Sequence, residues 1–371
     1  MNHTEPLEQI LRASRSYWDH PETRPAVRVN FDKVTLCRTP ALGAEIFASA
    51  TKEKIVYHTC KSRACPSCGY RSMLLWLRQQ WSALPDIPYA GLVFTMPSVL
   101  WPIFKQNRGL LHDLPALGAA VVEQYMKAKH GVRPLVMVVP HTFGGYLNFN
   151  CHLHILVSAG GLKDSEARWV AQVNFDKDEL MNTWRDAVIS YLRAALQAHI
   201  LKSDRSGEDL SRILTAEYER PRWIIHIRQS MSKLHFLKYA ARYVRRPPIA
   251  RSRLLEVTNV KVEFCTKDKR QKRTVTTRLS LQDFVSALAE HIPDRYQHAI
   301  RYYGLLAPRA KHLTSAALFA LIGQKKRPSP KRLSWRESLR KYFGVDPLTD
   351  SNGELMHWVS RQKPTVGRNS A

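Results

Sequence analysis

A chain of 371 residues with 44% hydrophobic content can bury a real core and is too long for one small one, so two or three domains are expected and wholesale disorder is excluded. Its 57 Lys and Arg against 31 Asp and Glu leave a net charge of +26 and a pI near 10.1, which points to a polyanionic partner, nucleic acid first. No run approaches the roughly 18 apolar residues of a membrane span, and the opening MNHTEPLEQI carries acids where a secretory leader needs a basic start. The expected location is the cytoplasm, in association with the nucleoid, where six cysteines are better metal ligands than disulfide partners.

Residues 1–32 read as a short amphipathic helix around Leu7, Ile10 and Leu11, followed by a turn at Pro21 and Pro25. Residues 33–85 carry a cysteine cluster: Cys37, then Cys60, Cys65 and Cys68 in HTCKSRACPSCGYR. Two thiolates in a Cys-x-x-Cys turn reach one tetrahedral zinc, and CPSCG, with Pro66 and Gly69, has the composition of a tight knuckle turn. Cys37 closes the four-thiolate site if a folded loop brings it back; His58 is the alternative fourth ligand. A helix is expected from Met73 to Leu84, a strand from Tyr89 to Met96, a helix from Leu110 to Lys129 and a strand from Leu135 to Val139. The strand 151–158 comes next, then a helix from Asp178 to Leu201, a polar break at Ser203 to Gly207, and a strand from Trp223 to Ile227. A helix from Ser230 to Arg245 stops before Pro247 and Pro248. A strand pair, Leu254 to Phe264 and Thr274 to Leu279, a helix from Leu281 to His291 and a segment around Tyr302 close the region 86–310, and residues 311–371 read as a basic tail.

Two of these elements carry chemistry. In NCHLHILVSAGG, residues 150–161, strand alternation puts His152 and His154 on one face and Leu153, Ile155 and Val157 on the other, a dry back and a chelating front. Two neutral imidazoles at i and i+2 can hold one divalent cation. In HFLKYAARYVRR, residues 235–246, helical spacing puts His235, Tyr239 and Tyr243 on one face, a turn apart. Lys238, Arg242, Arg245 and Arg246 surround that stripe with no acid between Met231 and Leu255, a collar suited to a phosphate backbone. A tyrosine oxygen becomes a nucleophile when its proton is drawn off and the electrophile is polarised. A cation held by His152 and His154, with His235 as third ligand, would meet that need. The basic segments 265–278 and 325–341 suit nonspecific phosphate contact, with Trp335 and Tyr342 placed to stack on unpaired bases.

The pair of a His-hydrophobic-His strand and a Tyr-x-x-x-Tyr helix resembles the HUH endonuclease superfamily and, within it, the two-tyrosine transposases of rolling-circle insertion sequences. CRTPALG at Cys37, CKSRACPSC at Cys60, FTMP at Phe94, HLHILVSAGG at His152, LKYAARYVRRPPI at Leu237 and RYYGLLAPR at Arg301 resemble that family's landmarks in its order, from about Lys33 to Arg309. The resemblance implies an α+β fold, HUH endonuclease-like, with a mostly antiparallel central sheet flanked by helices and a small N-terminal zinc-binding domain. It implies Mg2+ or Mn2+ at His152 and His154, Tyr239 and Tyr243 as paired nucleophiles, and cleavage of single-stranded DNA that leaves a 5′ phosphotyrosine and a free 3′ hydroxyl. The chain departs from the family where Ser49 and Lys52 replace a second Cys-x-x-Cys pair and where Glu45 and Ala64 replace histidines, so its zinc region is thinner than usual. No Gly-x-x-x-x-Gly-Lys loop is present, so strand separation would come from host replication or helicase factors. A replication initiator or relaxase using the same chemistry, and a zinc-dependent DNA-binding protein with no chemistry, are the rival readings.

Overall fold

The computed structural model describes residues 6–244, 247–268 and 272–365. Helix α1 (Pro6–Ala13) buries Leu7, Ile10 and Leu11, and the short α2 (Arg15–Trp18) sets the Trp18 ring edge-on to Phe31 at 5.6 Å. Pro25, expected in a turn, instead opens α3 (Pro25–Thr35). Its fixed φ and missing N–H suit the first helical position, where that N–H would have no intrahelical partner. The hairpin of β1 (Ala44–Ala48) and β2 (Glu53–Tyr57) leads to α4 (Pro66–Ala83). The same device corrects the knuckle: Pro66 is again at the helix start, so Cys68 lies in the first turn of an 18-residue helix rather than in a free-standing turn.

A five-stranded sheet forms the centre. Its members are β3 (Tyr89–Phe94), β4 (Leu135–Phe143), β5 (Phe149–Ser158), β8 (Ile225–Met231) and β12 (Arg301–Gly304), in the order β12-β4-β5-β3-β8 with every pairing antiparallel. Between β3 and β4 run α5 (Trp101–Gln106) and α6 (Leu110–His130); after β5 come a ribbon of β6 (Gly160–Lys163) and β7 (Arg168–Ala171), then α7 (Lys177–Gln197) and α8 (Gly207–Glu219). Helix α8 is not among the expected elements. Its Ser206 cap sits in the polar break, and Leu210 and Leu214 join the core beneath α7. Leu153, Ile155 and Val157 are fully buried on the side of α6 and α7, where Gly118 lets α6 approach so closely that a Cβ there would collide with Leu153. The dry back of the central strand is therefore real, and it holds the front in place.

On that front lies α9 (Lys233–Ala240), half the length expected. Ser232 caps it by accepting from the His235 amide, and after Ala240 i→i+3 bonds from Arg242 to Tyr239 and from Tyr243 to Ala240 mix with i→i+4 bonds from Ala241 to Leu237 and from Val244 to Ala240. The chain then leaves toward Pro247. The expected strand pair is a three-stranded sheet, β9 (Leu254–Val257), β10 (Lys261–Asp268) and β11 (Arg273–Ser280), because a turn at Thr258 splits the first run. Helix α10 (Leu281–Glu290) follows, and Phe264 and Phe284 share a core with Leu7, Ile10 and Phe31.

The region 311–371, expected as a basic tail, contains most of α11 (Pro308–Leu321), then α12 (Trp335–Phe343) and β13 (His357–Gln362). Strand β13 pairs antiparallel with β1 and completes a three-stranded sheet, β13-β1-β2. Glu45 accepts from Trp358 Nε1 at 2.9 Å and Arg361 Nε at 2.7 Å, and the Trp335 ring stacks on Phe47 at 6.2 Å. Such a strand is invisible to local reading because its two apolar residues, Trp358 and Val359, are adjacent and so fall on opposite faces, and because it depends on the open edge of β1.

Candidate active site and zinc cluster

The four cysteines converge. Cys37 Sγ lies 3.9 Å from those of Cys65 and Cys68, and Cys60 Sγ lies 3.8 Å from that of Cys68. A tetrahedron with Zn–S bonds of about 2.3 Å has sulfurs about 3.8 Å apart, so the donor set fits zinc without rearrangement. Cys37 reaches the group because Arg38 turns the chain at φ 62° and the Cys60 amide donates to Cys37 Sγ at 3.4 Å. His58, the alternative ligand, faces elsewhere: its Nδ1 lies 3.0 Å from the Leu42 carbonyl and its Nε2 3.2 Å from Glu45. The departures from the family pattern are also engaged. Ser49 donates to Asp350 at 2.8 Å, Lys52 contacts Ser351, and Glu45 holds β13.

The front of the central sheet gathers three imidazoles, and one of them is new. His141 on β4 is directly opposite His152 on β5, so the two share a face, and His154 follows two residues along. The candidate ligand atoms of His141, His152 and His154 lie within 4.8 Å of one another, and the Nε2 atoms of His152 and His154 are 3.1 Å apart. Two nitrogens bound at right angles to a cation at about 2.0–2.1 Å would be about 3 Å apart, so this pair fits a single ion. His152 Nδ1 lies 2.8 Å from the Asn150 carbonyl, which sets its ring, and His141 Nε2 lies 2.9 Å from the Tyr243 carbonyl, tying that imidazole to the tyrosine turn. The sequence signal for His141 is a histidine two residues beyond an apolar strand; the strand runs on through it.

His235 does not join them. It is exposed at the start of α9 with Nδ1 2.9 Å from Ser232 Oγ. Expected as the third ligand, it precedes Tyr243 by eight residues, about 12 Å along a helix axis, and Tyr243 is the residue that meets the histidines.

Both tyrosines do reach the site. The Tyr243 ring stacks on His154 with centroids 3.6 Å apart and an 18° tilt, and the Tyr239 ring stands 5.0 Å from that of Tyr243 at 65°. Tyr239 is 8% exposed and rests over Gly91 of β3. Burial raises its hydroxyl, the neighbouring Tyr243 raises it further, and Arg228 and Arg242 act the other way. Arg228 stands 6.0 Å over the Tyr239 ring. It and His226 lie on β8, opposite Gly91 and Val93, on the face that carries His154, while Ile225 and Ile227 point into the core. Sequence reasoning misses them, although the alternation Ile-His-Ile-Arg is there to read. Of the basic collar, Lys238 and Arg242 are exposed beside the tyrosines; Arg245 and Arg246 lie outside the described residues.

Gly91→Ala gives a local test of this packing. The added Cβ would lie 2.5 Å from Tyr239 Cε1, so the ring must move, at a cost of about 1–3 kcal/mol. The expected result is a modest fall in melting temperature; an unchanged melting temperature would show that the ring is not held by this contact.

Residues 136–313 match a family model described as a putative transposase, and residues 9–96 match one described as a transposase zinc-binding domain. The chain is 32% identical over 367 residues to the transposase for insertion sequence element IS801 of Pseudomonas savastanoi pv. phaseolicola, covering 92% of this chain and 86% of that one. It is 27% identical over 319 residues to the putative transposase y4qJ of Sinorhizobium fredii, covering 82% and 80%. No solved structure matches. With a four-cysteine cluster in the first matched region and a histidine-bearing antiparallel sheet in the second, the chain belongs to the IS91 family of insertion-sequence transposases, which open with a zinc-binding domain.

Proposed function

We propose that the chain cleaves and rejoins single-stranded DNA at the ends of its own insertion sequence by tyrosine transesterification, driving rolling-circle transposition. The observation that carries this reading is the stacking of Tyr243 on His154 within a cluster of three imidazoles, with Tyr239 adjoining. A tyrosine oxygen attacks the scissile phosphorus; the O–P bond forms, the bond to the 3′ oxygen breaks, and the phenolic proton is balanced by protonation of the departing 3′ oxygen. The products are a 5′ phosphotyrosine and a free 3′ hydroxyl. His141, His152 and His154 would hold Mg2+ or Mn2+, and with that ion bound the site gains neutralisation of phosphate charge. Arg228, Arg242 and Lys238 hold the backbone beside the tyrosines, and the two arginines partly offset the burial that pushes the Tyr239 hydroxyl up. In this reading residues 33–85 are the zinc-binding part and 86–310 the nuclease part, flanked by 1–32 and 311–371. It works in the cytoplasm beside the chromosome, on strands that host replication or helicase factors open. Among the described residues no helix is long and apolar enough to cross a membrane.

The test is covalent capture of a labelled single-stranded oligonucleotide from the element's ends. His152→Ala, His154→Ala and His141→Ala should each abolish the adduct while sparing DNA affinity, because binding draws on many cations and catalysis on one ion. His235→Ala should retain cleavage. Loss of affinity in step with cleavage would mean that the histidines hold the fold instead, and full activity in His141→Ala would remove it from the ligand set.

A further inference from the structure

A second basic concavity lies apart from the histidines and tyrosines and shares none of their residues. It is a groove of about 830 Å³ between α4 and residues 330–339. Its cations are Arg38, Lys61, Arg71, Arg78, Lys331 and Arg332, and no carboxylate is among its described lining residues. Arg71 and Arg78 are seven residues apart on one face of α4, about 10 Å along the axis. The opposite wall is braced rather than loosely apposed: Arg78 donates to the Lys331 carbonyl at 2.6 Å, and Trp335 packs on Phe47. Glu337, on the helix that begins at Trp335, is turned back to accept from the Ser334 amide at 2.7 Å. Two aromatic side chains, Tyr70 and Trp335, line the groove among the cations, and Cys68 of the zinc cluster forms part of it.

We propose that this groove binds a second stretch of single-stranded DNA, separate from the strand at the tyrosines. Cations with aromatics among them are what an unpaired strand needs, backbone against charge and bases against rings. In a duplex the bases are already stacked on one another, so the two rings would have no unpaired base to receive. The zinc cluster and the chain beyond residue 310 then have a joint role, each supplying one wall. The proposal rests on the transposase reading for its substrate class.

Lys61 and Arg332 are both exposed, so Lys61→Gln with Arg332→Gln should leave the fold and the zinc content intact. Full-length wild-type and doubly substituted protein are compared on a long single strand from the element's end by anisotropy across a salt series, and on a short oligonucleotide spanning only the cleavage point by adduct yield at saturation. The substituted protein should bind the long strand about tenfold more weakly, with a log–log salt slope smaller by about 1.4 for two lost charges on single-stranded DNA. Its adduct yield should match wild type, and binding to duplex of the same sequence should not change. Unchanged long-strand affinity and slope would overturn the groove assignment, as would a loss confined to duplex. Absence of adduct from wild type would instead overturn the cleavage reading and leave the groove to be judged by the salt slope alone.

Discussion

Replacing Tyr239 and Tyr243 together with phenylalanine should remove every covalent protein–DNA adduct while leaving single-strand binding and thermal stability close to wild type. Phenylalanine keeps the ring, so the stack on His154 and the packing over Gly91 survive and no cavity opens; only the two hydroxyls are lost. Each single variant should still cleave a single strand but fail to transpose, because the proposed reaction needs two strand transfers and one tyrosine cannot cleave while it holds a 5′ end. The single variants should also differ. Tyr243 is in contact with His154, whereas Tyr239 is buried with its hydroxyl pushed up, so Tyr243→Phe should give the larger loss of first-strand cleavage. Peptide mapping of trapped adducts is the measurement. An adduct that persists in the double variant would place the nucleophile elsewhere, and a single variant that transposes normally would make its missing tyrosine structural.

The second large effect is expected at the zinc cluster. Cys65→Ser should lower the zinc content from about one per chain to near zero and unfold the N-terminal region, since structural zinc in small domains contributes on the order of 10 kcal/mol of folding energy. Cys37→Ser should behave alike, because its sulfur is 3.9 Å from two of the others, whereas His58→Ala and Cys265→Ser should keep the metal. The damage should spread to the chain beyond 307, whose strand β13 rests on β1 and whose α12 residue Trp335 rests on Phe47. Elemental analysis with limited proteolysis reads both effects. Soluble, active protein free of zinc would overturn the assignment.

Much of the site was legible without coordinates because its parts are local. Alternation along one strand was enough to put His152 and His154 together on the face opposite Leu153 and Ile155, and the spacing within one cysteine-rich stretch was enough to mark Cys60, Cys65 and Cys68 as a group. The excess of Lys and Arg likewise named the partner's charge. What those residues meet was decided by contacts between segments far apart in sequence. His141 rather than His235 completes the imidazole cluster because the β4–β5 register sets it opposite His152, and no local periodicity encodes a register. Cys37 rather than His58 completes the zinc tetrad because a left-handed turn at Arg38 brings it back while Glu45 and the Leu42 carbonyl hold His58 away. The helix bearing the tyrosines gives way to a turn of mixed i→i+3 and i→i+4 bonds over 241–244 as the chain departs toward Pro247. Residues 308–362 fold back because β1 offers an open edge, and a strand without apolar alternation acquires its structure from that edge.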